Sequence, residues 1–158
     1  MELRTEHLAL VPLSVTPEEV ADRLSVIVPG GWPAPDLRDI LPRYLSELAA
    51  DSDLLGFGPW LLISRGEVVG DAGFLGRPVS RGTVELGYSV LPDRRGRGFA
   101  TEAAQALTEW ALAQAEVERA IAACAPGNAP SIRVLEKVAF VRIGERAGEL
   151  LWELRPSA

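Results

Sequence analysis

Leu91-Pro92-Asp93-Arg94-Arg95-Gly96-Arg97-Gly98-Phe99-Ala100 is the stretch on which the architecture turns. Before it, residues 83–91 (TVELGYSVL) alternate with the period of a strand, and Pro92 stops them. After it, residues 98–115 (GFATEAAQALTEWALAQA) place Phe99, Ala103, Leu107, Trp110 and Ala111 on one helical face. The quoted segment is therefore a strand-to-helix turn. Its amides are the unpaired donors of a helix N-terminus, backed by the positive end of the helix dipole, and anions bind such a place readily. Gly96 and Gly98 permit positive φ and leave no Cβ between the backbone and an anion. Arg94, Arg95 and Arg97 add cations suited to phosphate oxygens. A glycine-rich turn with solvated arginines is the competing reading. Two known phosphate loops do not match: the Gly-Lys-Ser/Thr of a P-loop is absent, and Thr101 stands where the dinucleotide fingerprint needs its third glycine.

Residues 120–125 (AIAACA) read as a short strand. Strand 84–91, helix 99–115 and this strand form a crossover unit that pairs in parallel with a right-handed connection. Upstream, WLLISR (60–65), VVGDAGFLG (68–76) and TVELGYSVL are separated by turns at Gly66 and near Arg81-Gly82, an antiparallel meander with tight turns. Residues 6–13 supply a first strand. Two helices follow: Pro17 to Val28, with Thr16 as cap and Glu18 and Glu19 in the first turn, and Asp36 to Ala50, with Leu37, Ile40, Leu41, Leu45 and Leu48 at helical spacing. The VPGGWPAP linker between them cannot be regular, and Trp32 presents a large apolar surface in it. Downstream come a helix at 129–138, with Asn128 as candidate cap and Pro130 in its first turn, and two strands, FVRIGE and ELLWEL, around a turn at Ala147-Gly148. The order is βααβββαβαββ: an α/β domain over residues 1–158, with a mixed, mostly antiparallel sheet flanked by helices.

Composition narrows the class. The 158 residues carry 22 acids against 16 bases, with 47% hydrophobic and 24% charged residues, the balance of a globular chain. The charge is uneven: Met1 to Pro92 holds 13 acids and 7 bases, while Asp93 to Ala158 holds 9 of each. Overall acidity argues against a phosphate-backbone binder, so no nucleic-acid partner is expected. Cys124 and His7 are the only cysteine and histidine, which excludes a disulfide framework and a Cys/His zinc set; both are expected to be packing residues, and no metal is expected. The acidic N-terminus and the lack of a long apolar run point to a cytoplasmic protein with no membrane partner.

Arg95-x-x-Gly98-x-Ala100 resembles the Q/R-x-x-G-x-G/A signature of the GNAT superfamily of acetyl-coenzyme A-dependent N-acetyltransferases. VELGYSVLP before it, TEAAQALTEWA in the helix and APGNAPSIRVLEKVAF after it resemble further family segments, together spanning residues 84 to 140. The pattern is most similar to the branch of ribosomal-protein N-terminal alanine acetyltransferases. Ala139 departs from it, standing where the family has glycine at a helix C-terminus.

The resemblance implies an acetyl-CoA-dependent transfer to a primary amine, either a peptide N-terminus or a small cationic molecule, by direct attack and without a metal. It implies a pyrophosphate held on the amides of Arg95, Gly96, Arg97, Gly98, Phe99 and Ala100, with Arg94 and Thr101 beside them. Ser89, Val90 and Leu91 would hydrogen-bond the pantetheine arm, with the Val90 amide polarising the thioester carbonyl. Glu85, a carboxylate inside an otherwise apolar strand, is the candidate base; a solvated face or pairing with an arginine is its alternative. Asn128 is open between capping the helix and touching the pantetheine arm. Ser131 resembles the proton donor of some relatives, and Tyr88 is its rival. Trp32 and Asp36 are candidates for the acceptor wall, with Glu85. Exposed Trp32 and the ELLWEL strand leave room for a homodimer. A non-catalytic acyl-CoA-binding or regulatory domain of the same fold is the alternative function.

Overall fold

The computed structural model describes residues 1–157. Its spine is an eight-stranded sheet in the order β1-β2-β3-β4-β5-β6-β8-β7. The strands are β1 (Leu3–Arg4), β2 (Ala9–Pro12), β3 (Pro59–Ser64), β4 (Glu67–Phe74), β5 (Thr83–Val90), β6 (Arg119–Cys124), β7 (Val141–Arg146) and β8 (Glu149–Leu154). Four α-helices accompany them: α1 (Pro17–Leu24), α2 (Pro35–Ala50), α3 (Phe99–Leu112) and α4 (Ala129–Lys137). The β5-α3-β6 unit gives the parallel pair, and the other pairings are antiparallel, as the sequence pattern requires.

Register assigns every side chain of the central strands to a face. Trp60, Ala72 and Tyr88 are successive cross-strand partners on one face; Leu61, Asp71 and Ser89 are partners on the other. Helix α3 covers the first face, where the Trp110 ring packs 5.4 Å from Trp60 and 6.2 Å from Phe74. Its buried side chains Phe99, Ala103, Leu107 and Ala111 fall at the predicted helical spacing. The α1–α2 connection reaches the second face through Trp32.

Several boundaries differ from the sequence reading for identifiable reasons. The first strand is a short hairpin, β1–β2, closed by Thr5, whose backbone and hydroxyl both bond Leu8. Helix α1 has the expected Thr16–Glu19 capping box but ends at Leu24, four residues early. Ser25 takes a left-handed conformation there, and Ile27 leaves to pair with Glu67 at the start of β4; a β-branched Val-Ile-Val run before proline favours extended backbone. The β3–β4 turn is tight, at Arg65-Gly66, whereas β4 and β5 are joined by a longer loop pinned by a Val79–Thr83 bridge. On α2, Tyr44 is buried and Ile40 exposed, reversing the expected face at that turn.

Two expected surfaces lie inside. Trp32 is buried, not exposed, and Leu150 and Trp152 of the ELLWEL strand are buried as well, which removes the apolar surface offered for a dimer. His7 is exposed rather than packed: its Nδ1 lies 2.6 Å from Glu102 on α3, and that bond raises its pKa from 6.5. Cys124 is buried, as expected. Among the described residues no helix is long and apolar enough to cross a membrane.

Candidate active site

The site begins where the sheet comes apart. β5 and β6 pair over only three positions, Thr83–Arg119, Val84–Ala120 and Glu85–Ile121, although both strands continue beyond them. Past Glu85 the edge of β5 is left without a strand neighbour on that side, so its backbone groups need other partners. A cleft of about 610 Å³ runs along this edge and on to the strand-to-helix turn. Tyr88, Ser89 and Val90 all line it. Three consecutive residues cannot share one face of a strand, so the wall they form is the backbone edge.

The turn supplies the other end. Gly96 and Gly98 have φ of 78° and 81°, which an L side chain adopts only under strain, and Gly98 caps α3. A Cβ built on either glycine meets nothing within 4 Å, so it would project into open space against the amides. The cleft is lined there by Gly96, Gly98, Phe99, Ala100 and Thr101, with no side chain capping the helix. A cradle of this form fits a phosphate group.

The arginines of the turn divide their work. Arg95 lines the cleft and donates from Nε to the Val90 carbonyl at 3.0 Å, tying the turn to β5. Arg94, also on the wall, is held by Glu67 and by Asp93 at 2.9 Å. Arg97 and Leu91 are not wall residues. The sequence reading missed two cations: Arg133 and Lys137 of α4 line the cleft opposite the turn. Their i, i+4 spacing on the helix after Asn128 was the available signal.

Asn128 caps α4, its Oδ1 accepting from the Ser131 amide at 3.2 Å, and it also lines the cleft. Both proton-donor candidates come together: the Tyr88 hydroxyl lies 2.6 Å from Ser131 Oγ. Burial raises the Tyr88 pKa, with the Ser131 bond opposing, so the phenol stays protonated at neutral pH. Glu85 is not with them. It lies on the opposite face of β5, partly buried, in a bidentate pair with Arg146 of β7 at 2.8 and 2.7 Å, the arginine pairing named above as the alternative to a base. Asp36 is exposed at the start of α2, and Trp32 is buried behind Asp71. Among the described residues no three metal-ligating side chains come together.

Comparison with known proteins agrees with this geometry. The family model described as an acetyltransferase (GNAT) domain matches residues 3–141. The protein is 35% identical over 114 residues to the uncharacterized N-acetyltransferase YjdG of Bacillus subtilis, covering 71% of this chain and 68% of that one. Its fold is similar to that of the ribosomal-protein-S5-alanine acetyltransferase of Vibrio fischeri, with TM-score 0.71, 18% identity and coverage of 98% and 96%. It is also similar to AAC(6')-Ib in complex with ribostamycin and coenzyme A, with TM-score 0.65, 19% identity and coverage of 92% and 93%.

Proposed function

We propose the following reaction for this protein, which belongs to the GNAT acetyltransferase family and is accordingly an acyltransferase: transfer of an acetyl group from acetyl-CoA to a primary amine by direct attack. The observation that carries the reading is the continuity of the cleft. The unpaired β5 edge, suited to a polar chain, runs without interruption into the amide cradle at the start of α3, suited to a pyrophosphate. Acetyl-CoA, when bound, supplies an activated thioester.

The residues that would hold it are the cradle from Arg95 to Ala100, with Arg133 and Lys137 as counter-charges and the Ser89–Val90 backbone along the arm. Glu85, oriented by Arg146, takes the proton that the attacking ammonium must lose. Tyr88, hydrogen-bonded to Ser131, returns a proton to the departing sulfur. Base and donor lie on opposite faces of β5, three residues apart, so Glu85 takes the amine's proton by way of a bound water from one side while Tyr88 meets the sulfur from the side of α4. No covalent step through the enzyme is needed: Cys124 is buried, and the sole histidine is engaged by Glu102.

The acceptor is a primary amine, on a protein N-terminus or on a small cationic molecule. Support for the ribosomal-protein alanine branch comes from the sequence pattern and from the shared fold of the Vibrio enzyme. Glu85→Gln is expected to lower turnover about a hundredfold or more while stabilisation by coenzyme A persists; unchanged turnover across pH 6–9 removes Glu85 from the mechanism. Tyr88→Phe and Ser131→Ala separate the two donors, the larger loss in turnover marking the one that delivers the proton. Coenzyme binding without turnover of any amine would instead identify an acyl-CoA-binding regulatory domain.

A further inference from the structure

A carboxylate that the reaction above does not use lies one strand in from the cleft edge, across the sheet from Ser89. Asp71 of β4 is partly buried, and its one side-chain partner among the described residues is neutral: the Trp32 indole donates from Nε1 to Oδ2 at 3.0 Å. Among the described residues no cation pairs with it. A carboxylate withdrawn from water without a counter-charge is costly, and such groups cluster where a ligand completes the pairing.

Its position says which ligand. Asp71 is the direct cross-strand partner of Ser89, a residue of the coenzyme wall, on the face opposite α3 and α4. Next along that face is the pair Gly73–Gly87, without side chains, and then Glu85. A Cβ built on Gly87 meets nothing within 4 Å, whereas one on Gly73 would lie 2.2 Å from the Gly58 carbonyl oxygen, so the space between the two carboxylates is open on the β5 side and closed on the β4 side. Four residues of strand separate Ser89 from Glu85, roughly 13 Å along β5. Glu85 is neutralised by Arg146; Asp71 is not neutralised.

We propose that Asp71 anchors a second positive charge on the acceptor, so that the preferred acceptor carries two cationic groups, one reacting near Glu85 and one held at Asp71, with Trp32 as positioning residue. The proposal rests on the acetyl-transfer reading and deepens it by naming an acceptor class: polyamines, aminoglycosides, or peptides whose N-terminus is followed by a basic side chain.

The surroundings are consistent with an uncompensated charge. Besides Asp71 itself, β3 contributes no ionisable side chain, β4 only Glu67, held by Arg94, and β5 only Glu85 and, on the opposite face, Tyr88. The connection over this face, residues 25–34, carries no charged side chain, and the first charge after Trp32 is the exposed Asp36 on α2. Burial pushes the Asp71 pKa up to about 6, the Trp32 bond opposing.

The test compares kcat/KM for spermidine and for butylamine. In the wild type the ratio should favour spermidine, and in Asp71→Asn it should fall at least tenfold. Asparagine keeps an acceptor for the indole, and stabilisation by coenzyme A reports folding. Without any variant, the wild-type ratio should also decline as the pH falls through about 6, when Asp71 gains its proton. Trp32→Phe should raise KM for spermidine more than it lowers kcat. A ratio unchanged in Asp71→Asn and flat with pH overturns the proposal and leaves the acetyl-transfer reading intact. A wild type that acetylates no amine overturns both.

Discussion

Ala139 shows what a single residue contributes against the family pattern. It sits just past α4 with φ of 77°, where its own amide bonds Glu136 at 3.1 Å and the Phe140 amide bonds Leu135 at 2.9 Å, the two bonds of a Schellman cap. An L residue in that conformation carries strain that glycine avoids. Ala139→Gly is expected to stabilise the protein by about 1 kcal/mol, raising the melting temperature by roughly 2–4 °C; a lower melting temperature would contradict the assignment. The departure from the family pattern was visible in the sequence, and its structural meaning followed from the helix end. Trp32 was not legible in the same way. A tryptophan among glycines and prolines reads as surface, and only the fold brings it to a carboxylate 39 positions away. Asp71 did leave a trace, as the lone charge in VVGDAGF, but its value depends on facing Ser89 across the sheet.

At the scale of elements, close packing of backbones fixes the shape of the cleft wall. A Cβ on Gly70 of β4 would lie 2.3 Å from the Ser89 carbonyl oxygen and 2.9 Å from the Val90 Cα, so a larger residue must push on the segment of β5 that lines the cleft. Gly70→Ala is expected to cost about 1–3 kcal/mol of stability and to weaken coenzyme A binding, read by thermal denaturation and by titration. The same change at Gly87, where a Cβ meets nothing within 4 Å, should leave stability within about 0.5 kcal/mol. Equal effects at the two positions would show that the close approach of β4 to β5 is not what shapes the wall. Strand and helix identities were legible because their periods are; β5 was read to within a residue at each end, and α3 starts at Phe99 as expected but ends three residues early, at Leu112. The early end of α1 was not, because the pairing of Ile27 with Glu67 is a contact between distant parts of the chain that outweighs helix propensity.

Over the whole molecule, the sheet places the residues of the proposed reaction on its two faces. Tyr88 and Ser131 stand with α3 and α4, while Glu85 and Asp71 stand on the face reached by the α1–α2 connection. The uneven charge follows this division in part. The segment from Asp93 onward, with 9 acids and 9 bases, contains the amide cradle and the cations Arg133 and Lys137. The first 92 residues hold 13 acids and 7 bases and contribute both Asp71 and Glu85, a balance that would draw the cationic acceptor proposed above. The cradle was legible in the sequence because glycines and arginines mark it. The β5–β6 opening was not, since a backbone edge leaves little imprint on side-chain pattern. The central claim is that this opening is where an amine meets a thioester, and it is tested most directly by following acetyl-CoA with a primary amine present, measuring free thiol and acetylated amine together. One thiol released for each amine acetylated, with release abolished when the amine is omitted, is the predicted result; tight coenzyme binding with no amine-dependent thiol release would contradict it.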